Sequence, residues 1–469
     1  MYHREKLVNK YRESKMKRSG ILFAVLLLSI IIAITAWSKE IFQIEQHNGM
    51  VLLLDVDQSA DAEMEIPLHA AVKENDLVEV KRLINEGADI NCNYHGMNPL
   101  CKAVLRKNNE MAVLLIENGA DVNSPNLILS ALELAANKND IEMIKLLIDN
   151  GATVCGPDES PLLDPARKGY IEAIDLLVAN GADVNVVGSE GITPIFEAIY
   201  DRNIETMKIL IKHNADVNYQ SEEGLGSPLH YAISYNFVKG VELLLEHGAE
   251  TELKTKNDGA TPLHMAVADG RKEIIEMLLQ HGADINALNK RNQTALNIAT
   301  YIENIVLYRI QAGIDTEEIT TEEITEGLKV VREIIELLIG HGARINLHDA
   351  VLLEDMNCVK DLLDKGVDVN AQDCIQMTAL HHAVNNDQLQ MIELLLQESA
   401  DINIVDGQNW TAIHYASFGG NDEILKLLLS QDNIDLTIKA QNGMTALDMA
   451  IDKNHNELVK LLENYRFDK

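Results

Sequence analysis

The chain has 469 residues, with 40 lysines and arginines against 73 aspartates and glutamates, which gives a formal net charge of −33. Because phosphate backbones repel such an acidic surface, nucleic-acid binding is disfavoured. Aromatic residues make up 4% of the chain, a proportion that favours many small packed helices over one large sandwich core.

The N-terminus combines a basic segment with an apolar one. Residues 1–20 contain seven basic and two acidic side chains, so their local charge is 7 − 2 = +5. Residues 21–37 are uncharged and apolar, and with their uncharged flanks they span roughly 30 Å as a helix, enough for one bilayer crossing. The basic flank predicts a signal anchor with a cytoplasmic N-terminus and everything after Lys39 on the non-cytoplasmic side.

Two alternatives to this anchor stay open, a cleaved signal peptide and a buried helix of a soluble protein. A cleaved signal peptide would end after Ala36, but Ile34 then occupies the −3 position, which makes a poor cleavage site. Cleavage would leave a secreted or periplasmic protein. Residues 38–63 follow as a juxtamembrane linker or an N-terminal cap.

A repeat of about 33 residues occupies the rest of the chain. Residues 261–286 read TPLHMAVADGRKEIIEMLLQHGADIN, and residues 227–252 and 378–403 repeat the pattern. Thr261 is a good N-cap, Pro262 suits a first helical turn, and Gly282 suits a C-cap in the left-handed conformation. We expect each repeat to form two helices whose apolar faces are buried only when neighbouring repeats stack.

The words T-P-L-H-x-A and L-L-x-x-G-A-D-I/V-N resemble the ankyrin repeat, and the resemblance extends over residues 65–469. It implies an all-α solenoid of about twelve helix-turn-helix units joined by short hairpin loops. The apolar residues 21–37 predict one transmembrane helix before this solenoid. It also implies that the recurring histidines, such as His264, hydrogen-bond within and between units. Ankyrin arrays bind partner proteins on a concave face.

Two departures from the period divide the array. Between Gly282 and Gly342 there are 60 positions, so we predict units 1 to the start of 8 over 64–299, an acidic insertion over 300–327, and the end of unit 8 to unit 12 over 328–469. After Asn346, about nine residues of connecting hairpin are missing relative to the repeat. These departures predict a local break in the stack near residues 300–350.

Partner-binding residues are expected where the units vary, at the end of the first helix and the tip of the loop. Exposed aromatic side chains there are common interface anchors. The predicted positions are Arg106, Tyr200, Tyr235, Asp269, Asn385, Trp410 and Phe418.

These patterns predict a membrane-anchored, non-enzymatic scaffold that binds a protein partner on the concave face. The alternatives are a secreted effector and a periplasmic accessory protein that supports an envelope or oxidative-defence enzyme. No catalytic motif or phosphate-binding loop is present, so we expect no cofactor and no small-molecule substrate. The five scattered cysteines predict buried thiols rather than disulfides or a metal site.

Overall fold

A computed structural model describes residues 66–124, 129–155, 160–188, 191–221, 224, 226–311 and 321–468. The segments predicted as basic N-terminus, anchor and linker, residues 1–63, lie outside these ranges. No helix within the ranges has the length and apolarity needed to span a bilayer. The chain divides into two compact parts at Ala215 and Asp216, and each is described separately.

The described residues of the N-terminal part form five helix pairs, which we number as repeats 1 to 5. Their helices are α1 (Pro67–Lys73), α2 (Leu77–Asn85), α3 (Pro99–Leu105), α4 (Asn109–Glu117), α5 (Ala131–Asn137), α6 (Ile141–Asp149), α7 (Leu163–Lys168), α8 (Ile171–Ala179), α9 (Pro194–Tyr200) and α10 (Ile204–Lys212).

The C-terminal part contains seven further pairs, repeats 6 to 12. Their helices are α11 (Pro228–Ser234), α12 (Val238–Glu246), α13 (Pro262–Ala268), α14 (Lys272–Gln280), α15 (Ala295–Gln311), α16 (Thr321–Gly340), α17 (Leu347–Leu352), α18 (Met356–Asp364), α19 (Ala379–Asn385), α20 (Leu389–Gln397), α21 (Ala412–Gly419), α22 (Asp422–Leu429), α23 (Ala446–Asp452) and α24 (Asn456–Asp468).

The all-α class and the repeated helix pairs are confirmed, and the described residues contain no strand. In repeat 7, Pro262 opens α13 and Ile274, Ile275 and Leu278 of α14 are buried. The first helices of successive repeats pack side by side within each part, from α1 to α9 and from α11 to α23. Each repeat therefore buries its apolar face against its neighbours.

An asparagine at the end of each G-A-D-I/V-N joint links neighbouring repeats. The Asn403 side chain donates from Nδ2 to the Asn433 carbonyl at 2.7 Å and accepts at Oδ1 from the Asp435 N–H at 2.8 Å. Asn123 and Asn218 make the same pair of bonds to the following joint. An amide is suited to this position because it offers a donor and an acceptor together.

Repeat 8 departs from the others by its length. Residues 300–311 and 321–327 are helical and belong to α15 and α16, whereas residues 312–320 lie outside the described ranges. The predicted break near 300–350 is wrong for the first-helix layer, because α15 still packs between α13 and α17. The extra residues lengthen the two helices and leave the packed faces in register. Across them, Asn286 Oδ1 still accepts from the Arg344 N–H at 2.8 Å.

The recurring histidines are buried structural groups. His230 Nδ1 accepts from the Ser227 N–H at 3.1 Å, and its Nε2 lies 3.2 Å from the Ala260 carbonyl oxygen of the next loop. This arrangement holds the neutral ring with its proton on Nε2. Burial lowers the pKa of His230 and of the equivalent His381 to about 4.

The expectation for the cysteines is wrong for two of the five. All five are free thiols, Cys101 is buried, and Cys92 and Cys358 are half-buried, but Cys155 and Cys374 are exposed. Both exposed cysteines lie in the loops between repeats, where the packed helix faces do not cover them.

Replacing Asn403 with aspartate should lower the free energy of unfolding by roughly 1–3 kcal/mol. The carboxylate still accepts from Asp435 N–H, but it places an oxygen against the Asn433 carbonyl oxygen. Chemical denaturation measures the change. Asn442→Asp is the matched control, because exposed Asn442 accepts from the Met444 N–H and its Nδ2 donates only to the Met444 sulfur, which is a weak acceptor. Equal losses in the two variants would contradict the role of the Nδ2 bond.

The free energy of unfolding should fall as pH is lowered from about 6.5 to about 4. In that window the unfolded chain protonates His230 and His381 while the folded chain does not, so the stabilisation present above pH 6.5 is progressively lost. His230→Asn should flatten the slope of unfolding free energy against pH, as measured by denaturant titrations. The same change at exposed His281 should leave the slope intact; an equal flattening there would refute the assignment.

Candidate protein-binding site

Six of the seven predicted residues lie at the end of the first helix of their repeat, and Trp410 lies in the loop that precedes α21. In the N-terminal part, exposed Arg106 caps the C-terminus of α3, and half-buried Tyr200 is the last residue of α9. In the C-terminal part, Tyr235 and Asp269 cap α11 and α13. The remaining three, all half-buried, are Asn385, Trp410 and Phe418.

Trp410 and Phe418 are brought together in repeat 11. Their ring centroids lie 5.4 Å apart with a tilt of 54°. Lys453 of repeat 12 places its Nζ 4.4 Å from the centroid of the Phe418 ring. A cation over an aromatic face is attracted by the ring quadrupole. We call Trp410, Tyr415, Phe418 and Lys453 the aromatic cluster.

Tyr415 supports the cluster from below. Its ring meets that of Trp410 edge-on at 5.0 Å, and its hydroxyl donates to Asp406 Oδ2 at 2.6 Å. Asp406 Oδ1 accepts from the backbone N–H groups of Gln408 and Trp410 at 2.8 Å each. This carboxylate therefore fixes the loop that carries Trp410, and burial beside Asp406 raises the pKa of Tyr415. The indole is held in place before any partner arrives.

The other predicted residues do not join this cluster. Tyr235 pairs with Tyr231 of its own repeat at a ring-centroid distance of 4.8 Å. Asn385 Nδ2 donates to the Asn386 side chain at 3.2 Å. Both side chains therefore make these contacts within their own repeats.

Sequence reasoning missed Tyr415 and Lys453. Lys453 is the eighth residue after Thr445, just as Arg106 is the eighth after Asn98, so the repeat register could have identified it. Tyr415 lies inside α21 and gives no such signal, because its role depends on the loop carboxylate that it reaches.

The described residues contain no group of three or more histidine, cysteine or acidic side chains placed to hold a metal ion. His381 and His382 are adjacent, but His381 Nε2 lies 3.1 Å from the Trp410 carbonyl oxygen and His382 Nε2 lies 2.8 Å from Asp373 Oδ2. The two rings therefore serve different contacts.

Family models agree with this geometry. A model for ankyrin repeats in three copies matches residues 42–126, 162–255, 347–440 and 408–469, and a model for the single ankyrin repeat matches residues 129–159 and 258–290. The matches cover well over half of the chain. The protein belongs to the ankyrin-repeat family. Residues 291–346, which carry the lengthened helices of repeat 8, fall between the matches.

Ankyrin repeats generally act as non-enzymatic protein-interaction modules, so membership of the family indicates a protein partner. No curated protein matches the chain significantly.

Proposed function

We propose that this ankyrin-repeat protein is a membrane-anchored scaffold that binds a partner protein through the ends of its first helices and the tips of its loops. The observation that carries the proposal is the aromatic cluster. Two rings and a cation from adjacent repeats are partly exposed at variable positions, and Asp406 holds the loop that carries one of them.

The proposed mechanism is recognition by a preformed surface. Trp410 and Phe418 already contact each other and need little further ordering when a partner binds. Association otherwise costs about 0.5–1.5 kcal/mol for each flexible side chain that becomes immobilised. Rigid aromatic anchors avoid most of that cost, and aromatic residues are enriched among binding hot spots.

The anchor belongs to the proposal through the sequence of residues 21–37 and its basic flank. A helix there would confine the repeats to one membrane and raise their effective concentration towards partners on the same surface. The positive-inside rule supports repeats on the non-cytoplasmic side.

Photo-crosslinking in intact membranes, followed by mass spectrometry, tests the binding surface. Trp410→Ala and Phe418→Ala should each reduce the yield of one crosslinked partner by about tenfold or more. Val78→Ala is the control, because Val78 lies on α2 and is 80% exposed. Circular dichroism checks that each variant is folded. A partner yield that is unchanged in both aromatic variants would rule out the aromatic cluster as the binding site.

Protease protection of membrane vesicles, with tags at both ends of the chain, tests the topology. We expect digestion of the repeats only from the non-cytoplasmic side, because the basic segment 1–20 favours the cytoplasm. Digestion from the cytoplasmic side would overturn the proposed orientation. Loss of the N-terminal tag together with release of the repeats would instead establish a cleaved, exported protein.

A further inference from the structure

A cleft of about 210 Å³ opens in the C-terminal part, over repeat 9. We call the loop that precedes the first helix of a repeat its finger. One wall of the cleft is the finger of repeat 8, around Arg291, and the other is the finger of repeat 10, around Asp373 and Cys374. Asn346 and Asp349 contribute to its floor. We call this space the gap cleft.

The gap cleft exists because repeat 9 lacks a finger. Asn346 ends the joint of repeat 8 and also caps α17, which begins at the next residue. The fingers of repeats 7 and 8, of repeats 10 and 11, and of repeats 11 and 12 are joined at their tips by a backbone bond. Lys290 N–H donates to the Asp258 carbonyl at 2.9 Å, and Gly407 N–H donates to the Ile375 carbonyl at 3.1 Å.

In the repeat register, the corresponding groups on either side of the gap cleft are the Arg291 carbonyl and the Cys374 N–H. Arg291 precedes Thr294 by three residues, as Ile375 precedes Thr378; Cys374 precedes Thr378 by four, as Gly407 precedes Thr411. Among the described residues, no hydrogen bond joins these two fingers. The Arg291 carbonyl and the Cys374 N–H are therefore the groups to which a finger of repeat 9 would hydrogen-bond.

The floor carries a carboxylate at the register position that holds a histidine in repeats 6, 7, 10 and 11. His264 and His381 each reach the carbonyl of the next finger, but in repeats 8 and 9 the same position is occupied by Asn297 and Asp349. Asn297 Nδ2 lies 2.8 and 2.7 Å from the two oxygens of Asp349. At the floor of the gap cleft, an amide–carboxylate pair therefore takes the place of the histidine.

Asp349 is 1% exposed, and it also accepts from the Thr300 hydroxyl at 2.9 Å and the Asn346 N–H at 3.2 Å. All of these donors are neutral. Since burying a carboxylate without a compensating cation is costly, a bound cation would offset that cost.

A second carboxylate and an unused acceptor lie on the opposite wall. His382 Nε2 lies 2.8 Å from Asp373 Oδ2, and a ring that carries its proton on Nε2 offers Nδ1 as an acceptor. His382 is 1% exposed, and its Nδ1 has no hydrogen-bond partner. The Tyr301 ring stands edge-on to His382 at a centroid distance of 6.5 Å. Carboxylates combined with an aromatic ring are suited to cations.

We infer that the gap cleft receives a lysine or arginine side chain, presented by an extended segment of a partner protein that takes the place of the missing finger. The cation would lie between Asp349 and Asp373 and donate to His382 Nδ1, while the segment's backbone meets the two finger edges. Among the described residues that line the cleft, exposed Arg291 is the single lysine or arginine, so the two carboxylates leave the cleft net negative. Sites for drug-sized ligands measure about 300–1,000 Å³, so this smaller space suits one long side chain.

This inference rests on the proposed protein-binding function and refines it. Cys374 provides the readout, because it is exposed within the gap cleft, and exposed Cys155 is an internal control outside it. The full-length protein in detergent is alkylated with iodoacetamide in the presence of a short Gly- and Asn-rich peptide with one central arginine. A peptide with citrulline at that position is the neutral isostere.

At a concentration about ten times its Kd, the arginine peptide should slow alkylation of Cys374 by about tenfold and leave Cys155 unchanged, because only about a tenth of the protein is then without bound peptide. The citrulline peptide should give no protection. Asp349→Asn should abolish protection by removing the charge. Leu352→Trp, which fills the gap cleft without touching either carboxylate, should do the same if Asp349→Asn fails to fold.

Equal protection by both peptides, or protection that survives both variants, would overturn the inference. The outcome is separable from that of the crosslinking experiment. Loss of the crosslinked partner in Trp410→Ala with no arginine-specific protection of Cys374 refutes the gap cleft and leaves the scaffold function standing. Protection that persists while the crosslinked partner is insensitive to Trp410 and Phe418 refutes the aromatic cluster as the binding site.

Discussion

The hydrogen-bonded asparagine that ends most joints is the interaction on which the repeated architecture depends. In Asn123, Asn218 and Asn403 the amide donates to a carbonyl and accepts from an N–H of the following joint. Apolar faces press neighbouring repeats together without fixing their register, because burial is non-directional. The hydrogen bonds of the amide are directional, so they fix the register of each repeat against the next.

The bond between joints also explains why repeat 8 can be longer than its neighbours. Asn286 reaches Arg344 across the lengthened helices just as the other joint asparagines reach across ordinary repeats. At Asn346 the side chain changes partner. Its Oδ1 accepts from the Asp349 N–H and caps α17, so it starts a helix where the others meet a neighbouring joint. The gap cleft lies beside Asn346, where the joint asparagine caps a helix instead of bonding to the next joint.

Most of the fold could be predicted from sequence because the same cap and turn residues recur in repeat after repeat. Thr261, Pro262 and Gly282 are cap and turn residues whose conformations depend on near neighbours in the chain. The continuity of the stack through repeat 8 could not be predicted, because counting residues between Gly282 and Gly342 does not reveal whether the extra ones extend helices or separate repeats.

The candidate site was predictable only in part, because sequence register locates single residues but does not show which residues of different repeats come into contact. Register alone locates Trp410 and Phe418, since both lie at variable positions. The contact of Phe418 with Lys453 joins residues of different repeats, and the support from Asp406 depends on how a loop folds back on α21. Tyr301 occupies the register position of Phe418, seven residues after its repeat's threonine. Its meeting with His382 arises only because no finger separates repeats 8 and 10.

The lengthened helices of repeat 8 show where an array of this kind can accept inserted residues. The first helix α15 has 17 residues where its neighbour α13 has 7, so it is about 15 Å longer at the usual rise per residue. Its packed segment still lies between α13 and α17. The turn between the two helices of a repeat is thus a natural graft point. New sequence placed there adds surface without changing the order of the stack. Related proteins could gain new binding specificities in this way while the existing repeats continue to stabilise the fold.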